Sequence, residues 1–246
     1  MYFFGVRVIM IIKDASEINR IDLESLKLIG YGFFGSVYQY GDKVLKVFRN
    51  IDKCKMLEKE HNEQFLDFLI RLDGMKNPIL VRPTEIFKTS NEIVLGYVTD
   101  YIKGTKMDRG LDSIDINAIM NVLINFYQEL IKLEDLVLYD ATATNLILEK
   151  GIKVIDLDLA QFEDHSNRDV IRKNLQILNS SIFRALITQG NYGRLTNTYL
   201  KEIEEAIIFG EDSLPVLLAE YIKYINEHCF KVKSVMDLSY PYFNRV

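Results

Sequence analysis

Between Leu26 and Phe48 the chain reads LKLIGYGFFGSVYQYGDKVLKVF, alternating apolar and polar positions with glycines at the turns. A period of two in residues rich in Val, Tyr and Phe marks pleated, half-buried strands, so two or three antiparallel strands are expected there. From about Asp52 to Leu72 the period lengthens to that of a helix. Met56, Leu57, Phe65, Leu66, Leu69 and Leu72 make one stripe that DGMKNP interrupts, which predicts a single helix. Alternation resumes in ILVRPTEIFKTSNEIVLGYVTDYI, two further strands joined at Thr89 to Asn91. Beyond Gly104, Ser113 or Asp115 is placed to cap a helix running to about Glu134. A short apolar hairpin follows within Val137 to Ala160, then helices at about 168–189, 199–209 and 213–228. Stripes such as Leu175, Leu178, Ile182 and Phe183 read as core rather than as a binding surface.

The pattern therefore predicts an α+β chain: a β-rich lobe with one helix over 1–103 and a mostly α-helical lobe over 104–246, joined near Asp100 to Gly104. A cleft between two such lobes is the expected site. At 246 residues and 48% apolar content the chain can bury a core of this size. Its first twelve residues, MYFFGVRVIMII, lack a basic leader, are interrupted by Arg7 and fall short of the roughly 20 residues of a spanning helix. They read as an extra strand or an apolar arm, with no membrane span. The aromatic end, MDLSYPYFNRV, reads as a segment that packs on the lobe or, as the second choice, engages a partner.

A net charge of −5 and a pI near 5.4 argue against general affinity for nucleic acid, which depends on neutralising phosphates, and leave only a local basic groove open. Cys54 and Cys229 have neither disulfide-framework nor zinc-ligand spacing, so they read as reduced thiols of a cytoplasmic protein. His61, His165 and His228 are scattered and suggest no base–nucleophile pair.

Chemistry concentrates elsewhere. Gly30-Tyr31-Gly32-Phe33-Phe34-Gly35-Ser36-Val37 has the spacing G-x-G-x-x-G-x-V. Glycines of this kind serve any tight turn. Here they lead into a strand rather than a helix, which favours a hairpin covering phosphates with backbone amides, Phe34 at its tip. Lys46 is the one charge in the apolar run VLKVF, where a lysine usually snorkels to solvent but can also meet phosphates in a cleft. A buried ammonium needs a carboxylate, and Glu58, Glu60 and Glu63 follow. Glu60 and Glu63 would share a helix face, and apolar Leu66 and Ile70 favour Glu63.

Three carboxylates and an amide then fall within one short stretch. Asp140 and Asn145 flank a five-residue step, and the hairpin LILEKGIKVI, turned at Lys150-Gly151, should fold Asn145 back beside Asp156. An amide oxygen beside a carboxylate is a hard-oxygen pair suited to Mg2+, while Asp140 stands apart as an acceptor for a hydroxyl proton. Asp158 adds a further carboxylate. Turn-forming Asp and Asn residues would explain one or two of these, not all.

Taken in order, these motifs resemble the protein-kinase-like superfamily over about residues 26–160, in a small, divergent bacterial or viral-type form. The resemblance implies a bilobal protein-kinase-like fold that binds ATP and Mg2+. Gly30, Gly32, Phe34, Gly35 and Val37 would cover the nucleotide, Lys46 would contact its phosphates with Glu63 or Glu60 behind it, and Asp140 would be the catalytic aspartate. Asn145 and Asp156 would hold the metal, with Asp158 positioned for a second ion or its waters. YVTDYIKG resembles the strand into the interlobe hinge, making Thr99 the gatekeeper and Asp100 and Ile102 the backbone partners of adenine.

The departures are specific. The catalytic loop reads Leu138-Tyr139-Asp140-Ala141-Thr142-Ala143-Thr144-Asn145, without the family's His, Arg and Lys. A neutral Thr142 removes a cation from the migrating phosphoryl group. Asp156-Leu157-Asp158 replaces D-F-G, no A-P-E follows, and Gln161 to Arg168 is too short for an ordinary activation segment. Asp169 would either cap the next helix or brace the catalytic loop. The expectation is an atypical Ser/Thr protein kinase transferring the γ-phosphoryl of Mg·ATP to a hydroxyl acceptor. The alternatives are a small-molecule kinase or a pseudokinase that binds nucleotide or a partner without transfer.

Overall fold

A computed structural model describes residues 10–188, 205–206, 210–228 and 230–239. The chain is α+β and divides into two compact units, one comprising residues up to Lys76 together with Val81–Tyr101, the other Asn77–Leu80 together with Ile102 onward.

The first unit is a six-stranded sheet in the order β1-β5-β6-β4-β3-β2. Its strands are β1 (Ile11–Asp14), β2 (Lys27–Tyr31), β3 (Gly35–Tyr40), β4 (Lys43–Phe48), β5 (Pro83–Lys88) and β6 (Val94–Asp100). β1 runs parallel to β5, and every other pairing is antiparallel. The turn between β3 and β4 requires its glycine, because Gly41 has φ of 66°. On one face Leu45, Phe87 and Val98 pack with Ile18 from a 3-10 turn, Ala15–Arg20. On the other, Phe48 meets Phe65 and Tyr97 edge to face, with ring centroids 5.7 and 6.0 Å apart.

Two helices cover that second face where the pattern predicts one: α1 (Ile51–His61) and α2 (Phe65–Gly74). The break is at Asn62, whose φ of 53° places it in the left-handed region that asparagine tolerates and that ends helices. Asn50 caps the start of α1 by accepting from the Lys53 amide. The apolar stripe breaks with the helix. Cys54 and Leu57 of α1 and Phe65, Leu66, Phe68, Leu69 and Leu72 of α2 are buried, but Met56 is exposed.

In the second unit, α3 (Ile116–Leu130) is capped by Asp115, which accepts from the amides of Asn117 and Ala118. It ends short of Glu134 because the next turn tightens, Leu133 donating to the Leu130 carbonyl and burying its own side chain. Strands β7 (Thr105–Lys106), β9 (Leu146–Leu148) and β10 (Ile152–Val154) form a small sheet, and β8 (Leu136–Val137) pairs with β11 (Gln161–Phe162). Asn77–Leu80 is stitched into this unit: Asn77 donates to the Glu129 carbonyl and the Val154 amide to the Ile79 carbonyl.

Two long helices, α4 (Asn167–Thr188) and α5 (Leu214–His228), complete the unit. Leu175, Leu178, Ile182 and Phe183 are buried in it. Asn179, fully buried on α4, donates to the Asp212 carbonyl and accepts from the Leu214 amide, fixing the start of α5. Among the described residues no helix is long and apolar enough to cross a membrane. Met1 to Ile9, Cys229, the residues from 240 on and almost all of the expected helix at 199–209 lie outside the described residues.

Candidate functional site

The glycine-rich hairpin lies in the first unit, where Gly30 and Tyr31 end β2 and Gly35 begins β3. None of its glycines has a positive φ. Gly35 is required by packing instead, since a Cβ there would stand 2.3 Å from the Val47 carbonyl oxygen. At Gly30 and Gly32 an added Cβ meets its nearest neighbours at 3.4 and 3.9 Å. The turn is closed by the Gly32 amide on the Gly35 carbonyl, 2.9 Å, and the Arg49 amide on the Phe34 carbonyl, 3.0 Å. The exposed tip is Phe33 rather than Phe34, which is half-buried and packs edge to face on Phe33. Two cations clasp the tip: Lys53 Nζ sits 3.2 Å from the Phe33 ring centroid and the Arg49 guanidinium 4.0 Å from that of Tyr31. Each such contact contributes about 0.5–1 kcal/mol at an exposed position.

Lys46 is buried on β4, opposite Val37 on one side and Tyr97 on the other, its Nζ 6.0 Å from the Tyr97 ring. Alternation puts it on the face of the sheet shared with Phe48 and covered by α1. The expectation that Glu60 and Glu63 share a helix face is corrected. Glu60 is exposed, and Glu63 lies in the connection after Asn62, paired with Arg71 at 3.2 Å. Glu58, one turn after buried Cys54 and next to buried Leu57, is the half-buried carboxylate on the inward side of α1. Thr99 is half-buried near the end of β6, and Asp100, exposed, pairs with Lys43 at 2.6 Å. Ile102 opens the second unit's long segment.

The acidic cluster lies wholly in the second unit. The hairpin β9–β10 pairs Leu146 with Val154 and Leu148 with Ile152, and the Ile155 amide donates to the Asn145 carbonyl at 2.9 Å. The register thus brings Asn145 across from the residue before Asp156. The Asn145 side-chain amide donates to both the carbonyl and Oδ2 of Asp140, at 2.9 and 3.0 Å. Its hydrogens are thereby committed to Asp140, and its oxygen remains the acceptor end. Asp156 is exposed with φ of 57°, a left-handed conformation that costs a non-glycine residue energy and concentrates at functional sites. Asp158 is buried.

Among the described residues no three His, Cys, Asp or Glu side chains gather as a self-sufficient metal site. The residues expected to hold Mg2+ are an amide and two carboxylates, hard-oxygen donors of the type that ion takes alongside water and phosphate oxygens.

The loop carrying Asp140 is braced by α4, through residues the sequence reading passed over. Asn174, fully buried, accepts from the Leu138 amide and donates to the Leu136 carbonyl, both at 2.8 Å. Ser181 Oγ accepts from the Ala143 amide at 2.6 Å. Ser166 caps α4, its Oγ accepting from the Asp169 amide at 3.3 Å, and the Asp169 carboxylate in the first turn accepts from the Ser166 hydroxyl at 2.7 Å. The visible signal for Asn174 was an amide set between Val170 and Leu178 on an apolar stripe. Thr142 and Thr144 share a hydrogen bond at 2.8 Å. In comparisons with known proteins, no family model matches the chain and no curated protein matches it.

Proposed function

We propose that the chain is an ATP-dependent phosphotransferase of protein-kinase-like, bilobal fold, transferring the γ-phosphoryl of Mg·ATP to a hydroxyl. One observation carries the reading. Asn145 bonds Asp140 through its side chain and Ile155 through its backbone, so a proton acceptor, an amide oxygen and the left-handed residue Asp156 share one corner of the second unit. In this reading Asp140 takes the acceptor's proton and orients its oxygen in line. Asn145, Asp156 and Asp158 would hold Mg2+, which when bound supplies charge neutralisation to the phosphates. Lys46 contacts the α- and β-phosphates, backed by Glu58, and Gly30, Gly32, Phe34, Gly35 and Val37 cover them. Thr99, Asp100 and Ile102 take the adenine.

Protein Ser/Thr hydroxyls are the acceptor suggested by the glycine-rich loop and strand lysine. A small-molecule hydroxyl is favoured by one feature: only four residues separate the end of β11 at Phe162 from the start of α4 at Asn167, leaving little chain for a peptide platform.

The test is a thermal-unfolding titration with ATP, with and without Mg2+, beside Lys46→Met, followed by transfer of label from ATP by wild type and Asp140→Asn. At about a hundred times Kd the linkage stabilisation is about 2.7 kcal/mol. A Mg-dependent rise in midpoint that Lys46→Met abolishes, with transfer lost in Asp140→Asn, is expected. No rise with any nucleotide would overturn the reading.

A further inference from the structure

The segments bearing the candidate chemistry, 138–145 and 155–160, are short and irregular, and in-line transfer tolerates little misplacement. The ladder that joins them, β8 with β11, has only two residue pairs, Val137 with Gln161 and Leu136 with Phe162, plus the Glu163 amide on the Asp135 carbonyl. So short a ladder is weak by itself. At its end stands Glu163, whose side chain is 11% exposed. Its carboxylate accepts from the Tyr139 hydroxyl and from Lys173 Nζ, the latter at 2.5 Å, and His165 Nε2 lies 3.4 Å away. Tyr139 is the residue before Asp140, and Lys173 is the residue before Asn174 on α4. One carboxylate thus joins the Asp140 loop, the segment after Asp158 and the helix that braces that loop.

Exposed ion pairs contribute little. This one differs in that the carboxylate is largely withdrawn from water and its hydrogen bonds are charge-assisted, roughly twice the strength of neutral ones. Burial alone would push the Glu163 carboxyl up. The hydrogen bonds from Lys173 and Tyr139, with the charges of Lys173 and His165, hold it below its usual value instead. The hydrogen bonds to Glu163 raise Tyr139 and Lys173 in turn.

We propose that Tyr139, Glu163 and Lys173 are positioning residues for Asp140, a fixed three-way tie that sets the orientation of the catalytic carboxylate. The proposal rests on the phosphotransferase reading.

It is tested by steady-state Mg·ATP turnover with water as acceptor, in the full chain. Glu163→Gln and Tyr139→Phe should each lower kcat, Glu163→Gln by about a hundredfold, with KM for ATP unchanged. The double variant should be no slower than Glu163→Gln, because both act through one tie. Lys173→Arg should keep the rate that Lys173→Met loses. If Glu163→Gln fails to fold, Tyr139→Phe, which removes one hydroxyl, carries the test. Rates within about twofold of wild type in the single variants, or independent losses that multiply in the double variant, would overturn the tie while leaving the phosphotransferase reading intact. A wild type that binds and turns over no nucleotide would overturn both.

Discussion

A buried amide between apolar turns of a helix is costly unless both its ends are satisfied. Asn174 satisfies both, and on backbone groups two and four residues before Asp140. Its replacement by leucine, of similar volume, should therefore cost more than the lost hydrogen bonds, because a buried N–H and a buried C=O are left behind at about 1–3 kcal/mol each. Denaturant unfolding should show a loss of about 2–5 kcal/mol for Asn174→Leu and one at least as large for Asn174→Asp, which keeps the acceptor but buries a carboxylate oxygen against the Leu136 carbonyl. Equal midpoints for all three proteins would mean that the brace contributes nothing. Residue-scale chemistry was half legible. Asp140 and Asn145 stood out because their types and spacing are local, whereas Tyr139, Glu163 and Lys173 meet over distances of 24 and 10 residues in sequence.

At the scale of elements, the period-two runs read directly as β2 to β6, because alternation reports a face that the strand carries with it. The helical stripe misled at Asn62. Apolar residues on both sides keep nearly the same phase, so periodicity cannot show that the chain turns through a left-handed residue between them. That turn takes Glu63 out of the helix and leaves it paired with Arg71. The glycine-rich hairpin gives a sharper contrast. Gly35→Ala drives a Cβ into the Val47 carbonyl, whereas Gly30→Ala meets only Val37 at 3.4 Å. Gly35→Ala should cost about 1–3 kcal/mol and, on the phosphotransferase reading, weaken ATP binding, while Gly30→Ala should stay within about 0.5 kcal/mol of wild type. Thermal midpoints of the two variants decide it, and equal midpoints would remove close packing as the reason for Gly35.

For the whole molecule the charge pattern sets the response to pH. The carboxyls of Asp14, Glu163, Asp169 and Asp237 are all held below their usual values. A group with a depressed folded pKa contributes stability that is complete above its unfolded pKa and disappears as pH falls through the folded one. Lys13, Lys43 and Lys173 are raised, so their contribution is complete below the usual lysine value and disappears only above it. Stability should therefore be flat through neutrality, fall below about pH 4 and fall again above about pH 10. Urea midpoints measured across this range check it, and Glu163→Gln should flatten the acid limb. A stability that rises on acidification would contradict the carboxylate directions.

By itself the sequence determined the α+β class, strands β2 to β6, the position of the acidic hairpin and the spacing of Asp140, Asn145 and Asp156, all of which rest on local period and turn chemistry. Tertiary structure alone decided that Asn77–Leu80 joins the second unit, that α1 ends at Asn62 with Glu58 on its inward side, and that Asn174 and Glu163 hold the Asp140 loop. Those outcomes depend on which groups meet after the chain has folded back, and a buried hydrogen bond between distant residues leaves no period in the sequence to read.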